Sequence, residues 1–352
     1  MENKTLYYAN FIPGLDDFIA GVVKERLADV KIIRALDGAV LFETGVSYDK
    51  LNFFCFNNIF AVISIMEHAG GGGAIEAHIA SLLSGKPALP DRARSVISSN
   101  TGKFTTFRIA VSRENIPAAI GERTRFAAEG YISRLSGLKA NRSRPGAEFW
   151  FLYRGEKLSL FMKRLTLRRS REKTLHKGEL PPPLAWTLCA LAGLKGGGTV
   201  IDPFCGYGSI PEEAFRRFHV RKFIACDNDR EAALHSVKRF RNRARGEFTF
   251  YETDFTGLPA LAGVHCADAI VTDPPWGRYS ELESGFYAKM FGVFGALLKP
   301  GAKAVVLCAD REAVLKALPA CFIPLNVIPV LLSGRKTVIF VLRKARSGED
   351  PR

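Results

Sequence analysis

From residue 199 onward, short runs rich in β-branched and aromatic residues alternate with stretches whose apolar positions recur every three to four residues. TVIDPF, KFIACD, FTFYET, DAIVTDPP and AKAVVLCAD read as five strands, and helices are predicted between and after them at about 209–219, 230–244, 284–298 and 310–318. Regular alternation of strand and helix predicts a parallel, doubly wound sheet. The last two apolar runs, FIPLNVIPVLLSG and KTVIFVLRK, have no helix between them. They are expected to finish a seven-stranded sheet as an antiparallel hairpin at its edge.

The first half follows a different rhythm. GLDDFIAGVVKERL (14–27) has helical spacing at Phe18, Val22, Val23 and Leu27, and VKIIRAL and AVLFET flank Asp37-Gly38, which favours a tight hairpin. A small α+β domain is expected over 1–68. The run Gly70 to Gly73 then reads as a flexible turn, because a phosphate loop needs a preceding strand and a Lys-Ser/Thr partner. A second α+β domain is expected over 69–165, with a strand at FTTFRIAV, a helix over 117–135, a turn at SGLKANRSRPG and strands at EFWFLYRG and KLSLFMKRL. Pro181, Pro182 and Pro183 mark a boundary, since consecutive prolines fix φ and disfavour helix before them. The reading is a linker over 166–183 and an α/β domain over 184–346.

Composition changes the picture through charge. Lys and Arg number 50 against 35 Asp and Glu, a formal +15 over 352 residues, which favours a polyanionic partner. Residues 100–175 carry 17 basic and 6 acidic side chains, so most of the excess sits there. Its densest run is Lys163, Arg164, Arg168, Arg169, Arg171 and Lys173, and bases alternate with aromatics upstream, at Phe104, Phe107, Arg108, Arg123, Arg125, Phe126, Tyr131 and Arg134. That alternation suits phosphate contact, and Arg164, Arg168, Arg169, Arg171 and Lys173 are the expected nucleic-acid contacts. Seven scattered cysteines without a C-x-x-C pair point to a reducing interior, and six histidines form no ligand pattern, so no metal is expected. No apolar stretch approaches a membrane span and the N-terminus has no basic-then-apolar leader. The expectation is a cytoplasmic monomer with no membrane partner.

The chemistry concentrates at strand ends. Val200-Ile201-Asp202 opens into Pro203-Phe204-Cys205-Gly206-Tyr207-Gly208 and then a helix, and Gly206 and Gly208 let backbone approach a ligand at a helix N-terminus. Asp227 ends the next strand at the spacing suited to ribose hydroxyls, and Asp254, after the third, can accept from an adenine amine. Asp273-Pro274-Pro275-Trp276-Gly277 follows the fourth strand. Its prolines stiffen a turn that offers a carboxylate and a carbonyl to an exocyclic NH₂, while Trp276 can stack on the ring. The competing view, a rigid aromatic turn behind a core strand, does not account for the glycine loop and Asp227 in the same order.

DPFCGYGSIPEEA, CDND, TDF and DPPWG, in that order, resemble the class I S-adenosylmethionine-dependent methyltransferases that act on exocyclic amines. GELPPPLAWTL resembles the segment before the glycine loop in THUMP-containing RNA guanine-N2 methyltransferases, and GLDDFIAGVV more weakly resembles their N-terminal ferredoxin-like domain. Tyr207 and Ser209-Ile210-Pro211 stand where that family more often has small residues and an aliphatic run. The resemblance implies a Rossmann-like methyltransferase domain behind ferredoxin-like and THUMP-like domains. It also implies methylation of guanosine N2 in structured RNA, above all tRNA. S-adenosylmethionine would be held by Pro182, Pro183, Asp202, Phe204, Cys205, Gly206, Gly208, Asp227, Asn228, Asp254, Phe255 and Asp273, and the amine handled by Asp273, Pro274, Pro275 and Trp276. Rival readings are rRNA guanine-N2, adenine-N6 or cytosine-N4 methylation, C5-pyrimidine chemistry through Cys205, and a non-catalytic RNA-binding protein that keeps the fold.

Overall fold

The computed structural model describes residues 4–51, 53–68, 73–99, 104–114, 116–155, 157–166, 175–176, 178–240, 246–277, 282–332 and 334–349. The chain forms two compact units, Met1–Phe11 with Asp16–Arg168, and Ile12–Leu15 with Arg169–Arg352. The call that falls on Arg168, Arg169, Arg171 and Lys173 lies outside the described residues, as does most of the glycine run, at 70–72.

The first unit contains strands β1 (Thr5–Asn10), β2 (Lys31–Leu36), β3 (Ala39–Thr44), β4 (Asn58–Glu67), β5 (Thr106–Arg113), β6 (Ile116–Pro117), β7 (Lys139–Ala140), β8 (Ala147–Arg154) and β9 (Leu158–Arg164). Its helices are α1 (Asp16–Arg26), α2 (Ala74–Ser84), α3 (Asp91–Ser98) and α4 (Glu122–Ser136). The strands form one sheet in the order β2-β3-β1-β4-β9-β8-β5-β6, with β7 beside β5. The Asp37-Gly38 hairpin forms as the spacing predicts, with Gly38 at φ 68°.

The sequence places a domain boundary at 68/69, but the sheet runs across it. The long apolar strand β4 pairs with β1 on one side and with β9 on the other, so residues 1–68 and 69–165 share one set of hydrogen bonds. Helices α2 and α3 were not read from the sequence, because a glycine run and a Ser-Gly-Pro segment flank them. They bury Ile75, Ile79, Leu82, Ala93 and Ile97 against Phe107, Phe149, Phe151 and Phe161. The rings of Phe151 and Phe161 stack at 4.5 Å. Each such side chain contributes about 2–3 kcal/mol by leaving water. His78, inside this core, is held by Ser64 and Ser159, each at 2.8 Å, and burial drives its pKa down to about 4, so it is neutral.

The second unit has strands β10 (Gly197–Asp202), β11 (Val220–Asp227), β12 (Glu247–Glu252), β13 (Ala267–Thr272), β14 (Leu298–Cys308), β15 (Phe322–Leu332) and β16 (Arg335–Lys344). Its helices are α5 (Pro182–Leu191), α6 (Ser209–Phe218), α7 (Arg230–Phe240), α8 (Leu258–Ala262), α9 (Phe286–Leu297) and α10 (Arg311–Ala317). The seven-stranded sheet has the order β12-β11-β10-β13-β14-β16-β15, parallel except for β16, which is antiparallel to both neighbours. The expected α/β sheet with its antiparallel hairpin is therefore present, but with the last strand inserted between β14 and β15. Its core packs Ile201, Ile224, Ile270 and Val306 against Phe291, Phe294 and Leu297 of α9.

The strand order reverses between β10 and β13, which pair through Val200–Ala269 and Ile201–Ile270. A crevice is expected beyond their carboxyl ends. Among the described residues, no helix is long and apolar enough to cross a membrane, and no three metal-ligating side chains gather.

Candidate active site

A pocket of about 370 Å³ opens at the carboxyl ends of β10, β11 and β13. One wall is the glycine loop. Gly206, at φ 51°, has nothing within 4 Å of where a Cβ would stand, and its N–H donates to Asp227 Oδ2 at 2.7 Å. Gly208 has a different role, because at φ 81° its missing Cβ would lie 2.8 Å from the ring of Phe240. Cys205 is buried, with its N–H donating to the Cys226 carbonyl at 2.9 Å, and burial lifts its thiol well above the ordinary range. It is a packed thiol rather than a nucleophile.

Two carboxyls form the floor. Asp202 is fully buried; Oδ1 accepts from Thr272 Oγ1 at 2.6 Å and from the Phe204 N–H at 3.2 Å, while Oδ2 has no partner among the described residues. Burial, helped by the nearby negative Asp227, pushes its pKa up to about 7. Asp273 follows Thr272 at the end of β13, and burial, with a smaller contribution from Asp202, pushes it up to about 8 against the hydrogen bond from Trp276 Nε1 at 2.8 Å. Asp227 is also raised by burial, although the N–H groups of Asp229 and Gly206 favour its ionised form. A pocket that gathers raised carboxyls and an orphaned carboxylate oxygen is matched to a cationic ligand.

The remaining surface is aromatic. Phe204, Phe255 and Phe286 pack together with centroids 4.9 to 5.8 Å apart, and all three line the pocket. Asp254 caps the single turn that carries Phe255, accepting from the Thr256 N–H at 2.9 Å. An apolar wall beside an ionised one suits a planar heterocycle joined to a charged tail, which is the chemistry of S-adenosylmethionine.

Of the expected residues, Asp202, Phe204, Cys205, Gly206, Asp227, Asn228, Asp254, Phe255, Asp273 and Pro275 line this pocket. Pro182 and Pro183 do not; they are buried at the start of α5, where the Pro183 carbonyl accepts from Thr187 Oγ1 at 2.8 Å, and Gly178, Glu179 and Leu180 reach the pocket in their place. Gly208, Pro274 and Trp276 are not among the lining residues; Pro274 is buried beside Asp273 and Pro275, and the Trp276 indole N–H donates to Asp273. Sequence reasoning missed Glu179, Ile210 and Phe286. Phe286 directly follows Gly285 at the head of α9, and an apolar helix start gives no sign that its first ring faces a ligand.

The basic run is altered too. Lys163 Nζ donates to the Ser99 and Val96 carbonyls at 2.7 and 3.2 Å, closing the end of α3, and burial pushes its pKa down to about 8. Arg164, expected on RNA, is instead 11% exposed and paired with Glu148 at 3.2 Å. The Glu148 side chain is likewise 11% exposed, and little of the Arg164 guanidinium is left for a phosphate.

The model of the RMKL-like methyltransferase domain matches residues 168–321. The chain is 32% identical over 254 residues to the tRNA (guanine(6)-N2)-methyltransferase of Thermus thermophilus, covering 68% of this chain and 72% of that enzyme. It is 27% identical over 214 residues to the tRNA (guanine(10)-N2)-dimethyltransferase of Methanothermobacter thermautotrophicus, covering 57% of this chain and 61% of that one. Among solved structures, TrmN from Thermus thermophilus is similar with a TM-score of 0.77 at 23% identity, over 97% of this chain and 99% of that one. A putative methyltransferase complexed with SAH gives 0.67 at 12% identity, over 98% and 100%. Both of these likenesses are likenesses of fold.

Proposed function

The chain belongs to the family of S-adenosylmethionine-dependent RNA (guanine-N2) methyltransferases, and from that premise we propose that it methylates N2 of a guanosine in a structured RNA, with tRNA as the substrate. The observation that carries this reading is Asp273, a carboxyl raised to about 8 at the end of β13, on the floor of a pocket built for a cation.

S-adenosylmethionine supplies an electrophilic methyl group on a sulfonium. When it is bound, Asp227 and the Gly206 loop would hold its ribose, Asp254 and Phe255 its adenine, and the unsatisfied Oδ2 of Asp202 would accept from its ammonium. These residues fit the group in charge and shape. The guanine amine is a weak nucleophile because its lone pair is delocalised into the ring. Asp273 and the Pro274 carbonyl accept its two hydrogens, which favours pyramidal nitrogen and directs the lone pair. As positive charge develops on that nitrogen, the Asp273 carboxylate stabilises it and takes the released proton. Burial raises the Asp273 carboxyl toward the working pH, so its ionised form is a stronger base than an ordinary carboxylate.

The indole N–H of Trp276 holds Asp273 in place. In this reading Phe286, which lines the pocket, takes over from Trp276 as the surface against the flipped base, offsetting part of the cost of unstacking it. Proximity supplies much of the remaining acceleration.

RNA is held by the first unit, as a THUMP-like region. Phe126 of α4 is 65% exposed, and the Arg142 guanidinium lies 5.6 Å from its ring centroid. Exposed Arg123, Lys139 and Arg144 belong to the same helix and the segment after it. An exposed ring among cations suits stacking and phosphate contact. All seven cysteines are free thiols, which fits the cytoplasm, and the protein acts as a monomer without metal in this reading.

The test is to incubate the purified protein with unmodified tRNA transcripts and methyl-labelled S-adenosylmethionine, then digest the RNA and identify nucleosides by mass spectrometry. Label in N2-methylguanosine is expected. Label confined to N6-methyladenosine or N4-methylcytidine, or none in any RNA, overturns the proposal.

A further inference from the structure

Helix α7 holds the glycine loop residue by residue. Ser236 Oγ donates to the Gly206 carbonyl at 2.7 Å, Arg239 Nη1 donates to the Tyr207 carbonyl at 2.6 Å, and the Phe240 ring fills the space a Cβ on Gly208 would need. Positions 236, 239 and 240 share one helix face. Arg239 reaches further, donating from Nη1 to Glu179 Oε1 at 3.0 Å and from Nε to Glu212 Oε2 at 3.3 Å. Glu179 also accepts from Ser209 Oγ at 3.2 Å and from the His176 N–H at 3.1 Å. The side chains of Arg239, Glu179 and Glu212 are only 9%, 5% and 1% exposed. Glu179 and Tyr207 line the pocket, and Arg239 does not.

We propose that Arg239 is a positioning residue for cofactor binding, fixing the pocket mouth by tying Glu179, the Tyr207 carbonyl and Glu212 to α7. Burying two carboxylates around one guanidinium is a poor route to stability, since well-packed apolar groups would serve as well or better. What the planar fork supplies is a fixed relation between three separate segments. The loop needs it, because Gly206 and Gly208 flank Tyr207 at φ 51° and 81° and have no Cβ to limit rotation of the peptide between them. Without Arg239, the Tyr207 carbonyl and the 178–180 segment lose their common anchor, and the surface that receives the ligand loses its shape.

The inference rests on the pocket binding S-adenosylmethionine, and the test separates the two. Titration calorimetry with S-adenosylmethionine, and steady-state methyl transfer, are run on the full chain and on Arg239→Met, Arg239→Lys and Arg216→Ala. Arg239→Met is expected to weaken binding and raise KM for S-adenosylmethionine by about 10- to 100-fold, with kcat at saturating cofactor within about threefold. Arg239→Lys, which keeps the charge but not the fork, should lose about fivefold or more. Arg216→Ala removes another partner of Glu212, at 3.2 Å from a half-exposed side chain, and should leave affinity within about twofold. A wild-type protein that does not bind S-adenosylmethionine overturns the reading of the pocket. A wild type that binds, with Arg239→Met binding equally well, overturns the clamp alone. Should the methionine variant fail to fold, wild-type affinity in Arg239→Lys overturns it in the same way.

Discussion

Thr272 donates its hydroxyl to Asp202 at 2.6 Å, so the last residue of β13 holds the last residue of β10 across the point where the strand order reverses. Both are fully buried. Thr272→Val leaves the buried carboxyl without its strongest neutral donor, at a cost of about 1–3 kcal/mol. The expected outcome is a melting temperature lower by several degrees in calorimetry, at roughly 2–4 °C per kcal/mol for a unit of this size, with Thr272→Ser restoring most of it.

Asp273→Asn keeps the shape of the side chain and removes its ability to take a proton. Turnover under saturating RNA and cofactor should fall by about 10² to 10³, while S-adenosylmethionine affinity stays within about threefold. Wild-type turnover in this variant would remove Asp273 from the chemistry.

The raised carboxyls give the protein a definite response to pH. Asp202 and Asp273 ionise near 7 and 8 when folded, against an ordinary value of 3.8, so the native state retains protons that the unfolded chain has released. Their contribution to stability is therefore largest at acidic pH and declines as pH rises from about 4 to about 8. The sign reverses for binding at Asp202, because the ammonium it would hold favours an ionised carboxylate there. Affinity for S-adenosylmethionine should increase from about pH 6 to about pH 8 with proton release, seen as different calorimetric heats in phosphate and Tris. Equal heats in the two buffers at neutral pH would contradict it.

Gly206 and Gly208 should fail in different ways. A Cβ at 208 meets the Phe240 ring at 2.8 Å and Ser236 Oγ at 3.0 Å, so Gly208→Ala is expected to lower stability by about 2 kcal/mol or more. A Cβ at 206 meets nothing and projects into open space, so Gly206→Ala should lose only about 1 kcal/mol of stability yet weaken cofactor binding. Thermal melts with and without S-adenosylmethionine separate the two.

For RNA, the contrast is between exposed and paired cations. Neutralising Arg123, Lys139 and Arg144 together should reduce the slope of log K against log salt by about 2–3 units in filter binding of tRNA, and Phe126→Ala should weaken binding without changing the slope. Arg164→Gln should instead lower stability modestly, because it removes one partner of the mostly buried Glu148, which Arg108 also holds at 2.6 Å, and leave the slope unchanged.

Much of the pocket was legible because a parallel sheet brings every strand's carboxyl end to one edge, and the apolar runs ending at Asp202, Asp227 and Asp273 show where those ends fall. What was hidden depends on side chains far apart in sequence. Arg239 and Glu179 are 60 positions apart, and in the sequence one is a charge in a basic helix and the other lies beside three prolines. Charge counting likewise cannot tell Lys163, buried at the end of α3, from a cation in water. A contact the sequence did not show is local: the Trp276 indole N–H donates to the Asp273 carboxylate three residues away.

The position of β16 has a temporal meaning. Because it lies between β14 and β15, the strand that follows the parallel set in sequence cannot join them directly; the hydrogen-bonding edge of β14 and its Val305-Val306-Leu307 run wait for Arg335–Lys344. On the ribosome, the pocket residues from Asp202 to Asp273 are all made before the sheet that supports them is closed. The nascent chain therefore carries an open, apolar strand edge until Arg335–Lys344 has been made, the interval in which it most needs protection from pairing with a neighbour.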